Sequence, residues 1–508
     1  MGIIKRQGLK SSIVNYAGVL IGVLFFNFVF PNLVDAKDLG LINLLRNLMY
    51  VFATLPALGL GHILLNYYAS WESEKIKNSY HGFAIIAMII SLLVFVVFFM
   101  LFKSVIINYY QAQSPNFTPY YYAIIPLVFL YIFNQYFEFY SLVNFRSAFP
   151  AFLREVVTRV LLIILFYLYI SHYLSQKGLV VGLVVSYVIP FLAIVFYAIK
   201  ILKWRIGSFT NYIQKENVFE ELKYGSGMLL LTIFSNVSNF LDGIILPAYL
   251  GLEVLGIYTP ALVLGQMIQV PYRAISLISI PVLREAITQK DVAKLKSLNN
   301  SLGINLFLIG CFLFTLLIIN SEAIFSLIPP KYSAAKNVLL IVGAGRLLDM
   351  AFGLNSEIIT YSNDYKYIVR LSGLMMTMTV ILNILLIPIF GMDGAALAVS
   401  VSLIVFNLLK TYIIYRKYNF HCFSKHYITL IVITISVIGI LYCIPYVKFL
   451  NQHMFLNPIL NIAFKSIIGG FLFLIPSYYF NISTDFNDFF KLVISGKILK
   501  GGHKMENL

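Results

Sequence analysis

Apolar stretches of about 20 residues recur from one end of this chain to the other, and they limit it to membrane-spanning helices. The stretch from Phe83 to Phe102 has Ser91 as its only polar side chain. Lipid offers a backbone no hydrogen-bond partners, so only helices and closed barrels cross it. A barrel strand would alternate apolar and polar residues over about ten positions, whereas these runs are continuous. Composition agrees: 60% of the 508 residues are hydrophobic and 11% are charged, against about 25% charged in a soluble protein.

Fourteen spans are expected, at roughly 11–30, 41–67, 80–102, 119–142, 152–171, 178–200, 224–249, 254–281, 299–320, 334–362, 367–387, 393–415, 426–446 and 458–481. Pro56, Pro126, Pro190 and Pro271 are the expected kink sites. Lys5, Arg6 and Lys10 precede an apolar run from Ser11 to Phe30 that is long and lacks a clear cleavage site, which favours a retained first span over a signal peptide.

Orientation follows from the loop cations. With the N-terminus in the cytoplasm, the outer loops hold Lys37, Lys103, Lys177, Lys331, Lys336 and Lys448. Most of the other Lys and Arg fall in inner loops and at the two ends, among them Lys200, Lys203, Arg205, Lys215 and Lys223. Both termini are therefore expected inside. This bias accounts for most of the net charge of +16. The cations are scattered singly rather than gathered in a patch, so nucleic acid is not an expected partner. Cys311, Cys422 and Cys443 are too dispersed for a disulfide or metal framework.

An internal repeat organises the spans. Pro247 to Pro260 reads as a short outer hairpin between two apolar helices, and Pro31 to Asn43 has the same layout. One common offset places Pro31 on Pro247, Leu39-Gly40 on Leu255-Gly256, and Leu48 on Leu264. The expected domains are an N-terminal six-helix lobe (1–200), a cytoplasmic linker (201–223), a C-terminal six-helix lobe (224–418), and an extra helix pair with an amphipathic tail (419–508). Both lobes begin and end on one side, so they would be parallel repeats. The linker ends in Phe219 to Gly225, which reads as a short amphipathic helix leading into the seventh span. The segment from Asp485 to Lys500 alternates Phe, Leu and Ile with Lys and should lie along the inner membrane surface.

Walker A, HExxH and GxSxG motifs are missing, so the chain is not expected to be an enzyme and no catalytic residue or metal ligand is assigned. Charges inside spans are the informative residues, because charge in lipid is costly and is usually paired or functional. Five cations count as intramembrane: Arg46, Arg159, Arg273, Arg346 and Lys465. Spans two and eight are equivalent in the repeat, so Arg46 and Arg273 are expected to face one cleft from opposite sides. Guanidinium groups suit a diphosphate through bidentate hydrogen bonds. The alternative is snorkelling to the headgroups. Arg346 is the third candidate cavity cation, with a local ion pair to Asp349 as the competing explanation. Arg159 is expected to pair with Glu155 one turn away, and Lys465 to face lipid or pack in the bundle. The candidate cavity or ion-coupling acids are Asp242, Glu138 and Glu357. The surroundings of Glu138, Tyr136-Phe-Glu-Phe-Tyr140, could stack on sugar rings, but aromatic residues are common throughout. His62 and His81 are isolated and read as structural.

Several of these segments resemble the multidrug/oligosaccharidyl-lipid/polysaccharide (MOP) exporter superfamily. They are Lys5 to Ser12, the hairpin Phe30-Pro31 to Leu39-Gly40, Asp242 to Leu246, Leu250-Gly251, Leu255 to Tyr258 and Phe390 to Ala395. Within the superfamily, the chain is similar to the polysaccharide-biosynthesis flippases of the O-antigen or capsule repeat-unit type. The resemblance implies an all-α fold of two six-helix lobes around a cation-lined cavity that alternates in access. It implies an undecaprenyl-diphosphate-linked oligosaccharide as substrate, the bacterial cytoplasmic membrane as location, and coupling to H⁺ or Na⁺ without a bound cofactor. Membrane lipids, a polysaccharide polymerase and a chain-length regulator are the implied partners. Related lipid-linked precursor flippases line the cavity with arginines from the first, second and eighth helices. Arg46 and Arg273 match the second and eighth, but the first span here has no Arg or Lys. The rival functions are a cation-coupled multidrug antiporter of the same superfamily and a membrane-embedded polysaccharide polymerase.

Overall fold

The structure, a computed structural model, describes residues 2–362, 365–445 and 456–494. Lys448 and the tail beyond residue 494 lie outside the described residues. Among the described residues every regular element is helical. The helices that matter below are α1 (Gly2–Gly22), α2 (Ala36–Phe52), α3 (Leu60–Tyr67), α4 (Glu74–Leu101), α5 (Ile124–Val143), α6 (Thr158–Ile170), α7 (Gln176–Lys200), α8 (Val218–Phe240), α9 (Asp242–Leu250), α10 (Leu252–Gln266), α11 (Val270–Thr288), α12 (Val292–Phe325), α13 (Lys336–Ala351), α14 (Asn355–Tyr361), α15 (Tyr365–Tyr418), α16 (Lys425–Tyr442), α17 (Leu456–Tyr479) and α18 (Thr484–Ile494). Their starts follow ordinary capping chemistry. Asp35 accepts from the Lys37 amide at 3.2 Å, Ser175 from Gly178 at 3.3 Å, and Asp291 from Lys294 at 2.9 Å.

Ten helices among the described residues are long and apolar enough to cross a membrane, or eleven if the bent pair Pro330–Ala351 and Asn355–Tyr361 is one span. The fourteen expected spans map onto these with three local adjustments. The single long helix α15 covers two of them and leaves helical geometry at Gly391 (φ 59°, ψ −131°). The second expected span is broken between α2 and α3, where Leu58 and Gly59 both take positive φ. The fifth carries Arg154, Glu155 and Arg159, so it is less apolar than a free-standing span.

The prolines act unequally. Pro190 lies inside the continuous helix α7 and does not end it. Pro126 is near the start of α5 and Pro271 is at the start of α11, where a missing amide hydrogen is tolerated. The Pro247–Pro260 stretch is tighter than a hairpin loop. Pro247 and Pro260 are both helical, and Gly251 alone (φ 92°) makes the turn between α9 and α10.

The chain divides into two compact units. The first comprises Met1–Pro260 with Met376–Ala395, and the second Ala261–Met375 with Ala396–Leu508. Close glycine contacts hold the first unit together, as expected where lipid supplies no hydrophobic drive between helices. The space beside Gly40 is filled by the Leu252 carbonyl, and the space beside Gly256 by the Ala36 carbonyl. Gly59 meets the Gly225 carbonyl in the same way.

The segment 201–217 is fastened to the first unit. Glu221, at the start of α8, is 1% exposed. It accepts from Trp71 Nε1 at 3.0 Å and Tyr212 Oη at 2.7 Å, and pairs with Lys215. The Gly207 amide donates to the Asn78 carbonyl at 2.7 Å. The expected amphipathic helix at 219–225 is therefore the first part of α8, with Glu221 pointing inward and Glu220 exposed. In the second unit, Phe307, Leu430, Val437, Leu441 and Phe473 join α12, α16 and α17 into one apolar core. The amphipathic α18 is tied to α12 through Asp485, which accepts from Ser301 at 2.6 Å and Asn305 at 2.8 Å.

Candidate functional site

The first unit encloses a cavity of about 380 Å³, within the roughly 300–1,000 Å³ of small-molecule sites. Arg46, Glu138, Arg154, Glu155 and Arg159 line it, together with Tyr50, Tyr131, Asn134, Gln135 and Tyr187. Arg46 reaches it because α2 buries Leu44, Leu45, Leu48 and Met49, which fixes the remaining face of the helix. Its Nη2 donates to Tyr50 Oη at 3.5 Å. Tyr50 is itself held by stacking on Phe240 (4.7 Å) and by the edge of Tyr131 (5.2 Å).

The other charges come from α5, from the widened turn Leu153–Val157, and from the first turn of α6, which carries Arg159. Glu138 pairs with Arg154. Glu155 is shared: Oε1 accepts from Arg154 Nε at 3.0 Å, and Oε2 accepts from Arg159 Nη2 at 2.8 Å. Three guanidinium groups thus face two carboxylates, leaving one positive charge in surplus. Among the described residues Arg46 has no carboxylate partner. Its Nε and the Arg159 Nη1 are buried without hydrogen bonds. Such a cavity can accept an anion with several oxygens.

A second polar cluster lies in the second unit. Gln269 bridges Arg346 and Asp349: its Oε1 accepts from Arg346 Nη1 at 3.1 Å and its Nε2 donates to Asp349. Asn407 donates to the other Asp349 oxygen at 2.6 Å. Glu357 accepts from Tyr272 Oη at 2.9 Å and Ser276 Oγ at 2.5 Å. Lys410, 3% exposed, donates to Ser356 Oγ at 2.5 Å and lies within electrostatic reach of Asp349 and Glu357. The break between α13 and α14 is held by Asn299, which accepts from the Leu354 amide at 2.9 Å. Both half-buried acids thus have a hydrogen-bond donor on each oxygen.

Of the candidate residues, the structure places Arg46 and Glu138 in one cavity, and Arg346 and Glu357 in the polar cluster. Asp242 lies elsewhere in the first unit, buried, and accepts from Tyr258 Oη at 2.6 Å and from the Gly243 amide at 2.8 Å. Arg273 is exposed on α11 and makes no hydrogen bond or ion pair among the described residues. The direct Arg346–Asp349 pair is replaced by the Gln269 bridge. Arg159 does pair with Glu155, as the spacing suggested.

Of the aromatic residues around Glu138, Phe139 lines the cavity, whereas Tyr136 and Tyr140 are buried elsewhere. Tyr136 contacts His81 Nδ1 at 2.6 Å and Tyr140 donates to the Leu202 carbonyl at 3.0 Å, so both rings are committed to packing. His62, a structural expectation, contacts Thr232 at 3.3 Å. Sequence reasoning missed Arg154 and Lys410 because both stand near span ends and read as loop cations. The available signal was Arg154-Glu155 at a helix entrance, and a lone Lys410 within Asn407 to Thr411. No cluster of three His, Cys, Asp or Glu that could hold a metal ion occurs among the described residues.

Comparison with known proteins agrees with this architecture. A family model described as polysaccharide biosynthesis protein matches residues 5–287. No curated protein matches the chain in sequence. A solved structure of the lipid II flippase MurJ in an inward closed conformation matches with a TM-score of 0.69 at 16% identity, covering 91% of this chain and 98% of that one. An inward-facing multidrug resistance MATE family transporter of the MOP superfamily matches with a TM-score of 0.61 at 13% identity, covering 80% and 94%. A Vibrio cholerae MATE transporter matches with a TM-score of 0.53 at 14% identity, covering 82% and 98%. At these identities the likeness is one of fold.

Proposed function

Because this chain belongs to the polysaccharide biosynthesis protein family and has the fold of the MOP exporters, we propose that it is a flippase for a polyprenyl-diphosphate-linked oligosaccharide, serving assembly of a surface polysaccharide such as O-antigen, capsule or exopolysaccharide. The observation that carries the reading is the arginine-surplus cavity around Arg46. A diphosphate needs cations with several aligned donors, and burial makes each charge-assisted bond stronger than in water. The glycan would enter from the cytoplasmic face of the bacterial inner membrane while the prenyl chain stays in lipid.

Net translocation requires that the two access states bind the substrate differently. An H⁺ or Na⁺ gradient is the proposed source of that difference, with Glu357, Asp242 and Glu138 as its candidate acids. Arg273 and Arg346 remain candidate phosphate ligands. A polymerase and a chain-length regulator are the proposed downstream partners. The test is surface glycan in a deletion strain carrying Arg46→Ala or Arg273→Ala. Loss of surface glycan with normal membrane insertion is expected, and normal surface glycan in both would overturn the reading. The MATE-like fold supports a second reading, a drug/cation antiporter. Efflux of cationic dyes by the wild-type protein in a sensitive host would favour it.

A further inference from the structure

Arg159 stands where the first helix is cut away to receive it. Gly18 and Gly22 are one turn apart on α1. A Cβ on Gly18 would lie 2.7 Å from the Glu155 Cβ, and one on Gly22 would lie 3.0 Å from Arg159 Nη1 and 3.1 Å from its Cζ. The two glycines therefore make room for an acid and a base that are themselves one turn apart. A span with no cation of its own thus backs the guanidinium of another span. Arg159 also lies close enough to Arg46 for the two to repel each other. Both guanidinium groups are half-buried and each keeps one buried nitrogen without a partner, so an anion shared between them would relieve both the repulsion and the missing hydrogen bonds.

We propose that Arg159 and Glu155 form a displaceable ion pair, in which the phosphoryl oxygens of the substrate take the place of the Glu155 carboxylate on Arg159 and are shared with Arg46. The chemical class of the ligand is a lipid-linked diphosphate, esterified by the prenyl chain at one end and the glycan at the other; farnesyl diphosphate carries the same prenyl diphosphate and serves as the probe. This deepens the flippase reading and rests on it. The exchange does not strand the displaced acid, because Glu155 Oε1 is already held by Arg154 at 3.0 Å. Nor does it require a proton: one anion replaces another, and Glu155 keeps one of its two cations. Gly22 sets the position of Arg159, because any side chain there would push the guanidinium away.

The proposal separates the roles of Arg159 and Glu155 by sign. The full-length protein in lipid nanodiscs is titrated with farnesyl diphosphate, and separately with inorganic diphosphate, by calorimetry. Arg159→Gln should weaken farnesyl diphosphate binding on the order of tenfold to a hundredfold, the range of a lost charge-assisted contact. Glu155→Gln should tighten it several-fold, since the competing carboxylate is gone. Gly22→Leu should weaken it as Arg159→Gln does. A misfolded variant cannot mimic a gain, so Glu155→Gln keeps the test decisive even if the others prove unstable.

Weaker or unchanged binding in Glu155→Gln, or wild-type binding in Arg159→Gln, would overturn the displacement. Binding of inorganic diphosphate as tight as that of farnesyl diphosphate would overturn the assignment to a lipid headgroup. If Arg46→Ala abolishes surface glycan while Arg159→Gln binds and exports normally, this inference fails and the flippase reading stands. If Arg46→Ala, Arg273→Ala and Arg159→Gln all export normally, the flippase reading fails with it.

Discussion

Gly40 and Gly256, which align at the common offset in the sequence, each receive a backbone carbonyl from the other's helix: Leu252 faces Gly40 and Ala36 faces Gly256. The two glycines thus form one reciprocal contact within the first unit, on the helix ends that the loop charges assign to the outside. A Cβ at either position would overlap the opposing carbonyl, which is backbone and cannot rotate away.

Gly40→Val and Gly256→Val should therefore destabilise to a similar extent, at or above the roughly 1–3 kcal/mol of an overpacked core. Gly439 is the control. It lies inside α16 with nothing within 4 Å of its missing Cβ, so Gly439→Ala should stabilise by about 0.4–1 kcal/mol. Thermal unfolding followed by fluorescence-detected size exclusion reads both, and unequal effects at Gly40 and Gly256 would contradict the reciprocal packing.

Glu221→Ala should release the segment 201–217. Removing the acid leaves Trp71 Nε1 and Tyr212 Oη without their acceptor and Lys215 without its counter-charge, a loss of about 3–5 kcal/mol for a buried pair, less here because Lys215 is partly exposed. Limited proteolysis should cut the variant in this segment while wild type resists. Tyr212 adds a pH dependence. Burial and then the Glu221 carboxylate push its phenol well above the ordinary range. Because the folded value is raised, the contribution is present below the unfolded value of about 10 and is lost only as pH rises beyond it. Protection of the segment should thus hold through neutral pH and fail in strong alkali.

Cysteine labelling tests the orientation. Cys443 is exposed beyond α16, on the side the loop charges assign to the outside. A membrane-impermeant maleimide added to whole cells should label it without permeabilisation. Cys422 should stay unlabelled at pH 7 even after lysis. It is buried with its thiol 3.5 Å from the Ala351 carbonyl, and burial raises its pKa to about 11, so little reactive thiolate forms. Labelling of Cys443 only after permeabilisation would reverse the topology.

Lys410 and Glu357 make a coupling test in the second unit. Lys410→Ala should abolish export, because it leaves Asp349 and Glu357 without their nearby cation, whereas Lys410→Ala combined with Glu357→Gln should restore part of it. Surface glycan measured across a dissipated and an intact proton gradient distinguishes the roles: Glu357→Gln alone should lose the gradient dependence. Full export by Lys410→Ala would show that the cluster is dispensable.

The membrane-spanning helices were legible in the sequence, because a lipid-embedded backbone admits few alternatives and their length is set by the bilayer. Arg46 could be singled out as a charge inside an apolar span. Arg159 and Glu138 could be singled out the same way, but that they share one cavity with Arg46 could not be read from the chain. Arg154 and Arg159 are more than a hundred residues away in the chain, and Arg154 looked like a loop cation. Pairing was the weakest point: Asp349 looked bound to Arg346 by spacing, yet Gln269, from a different element, stands between them.

By itself, then, the sequence determined the solvent, the helices and the places where charge enters the bilayer, since each follows from local transfer free energies. Only the tertiary structure decided which charges share a cavity and which carboxylate each guanidinium holds. It also decided that Gly18 and Gly22 lie against Glu155 and Arg159. Those outcomes depend on helix–helix approach at ångström scale, which no periodicity along one chain segment encodes.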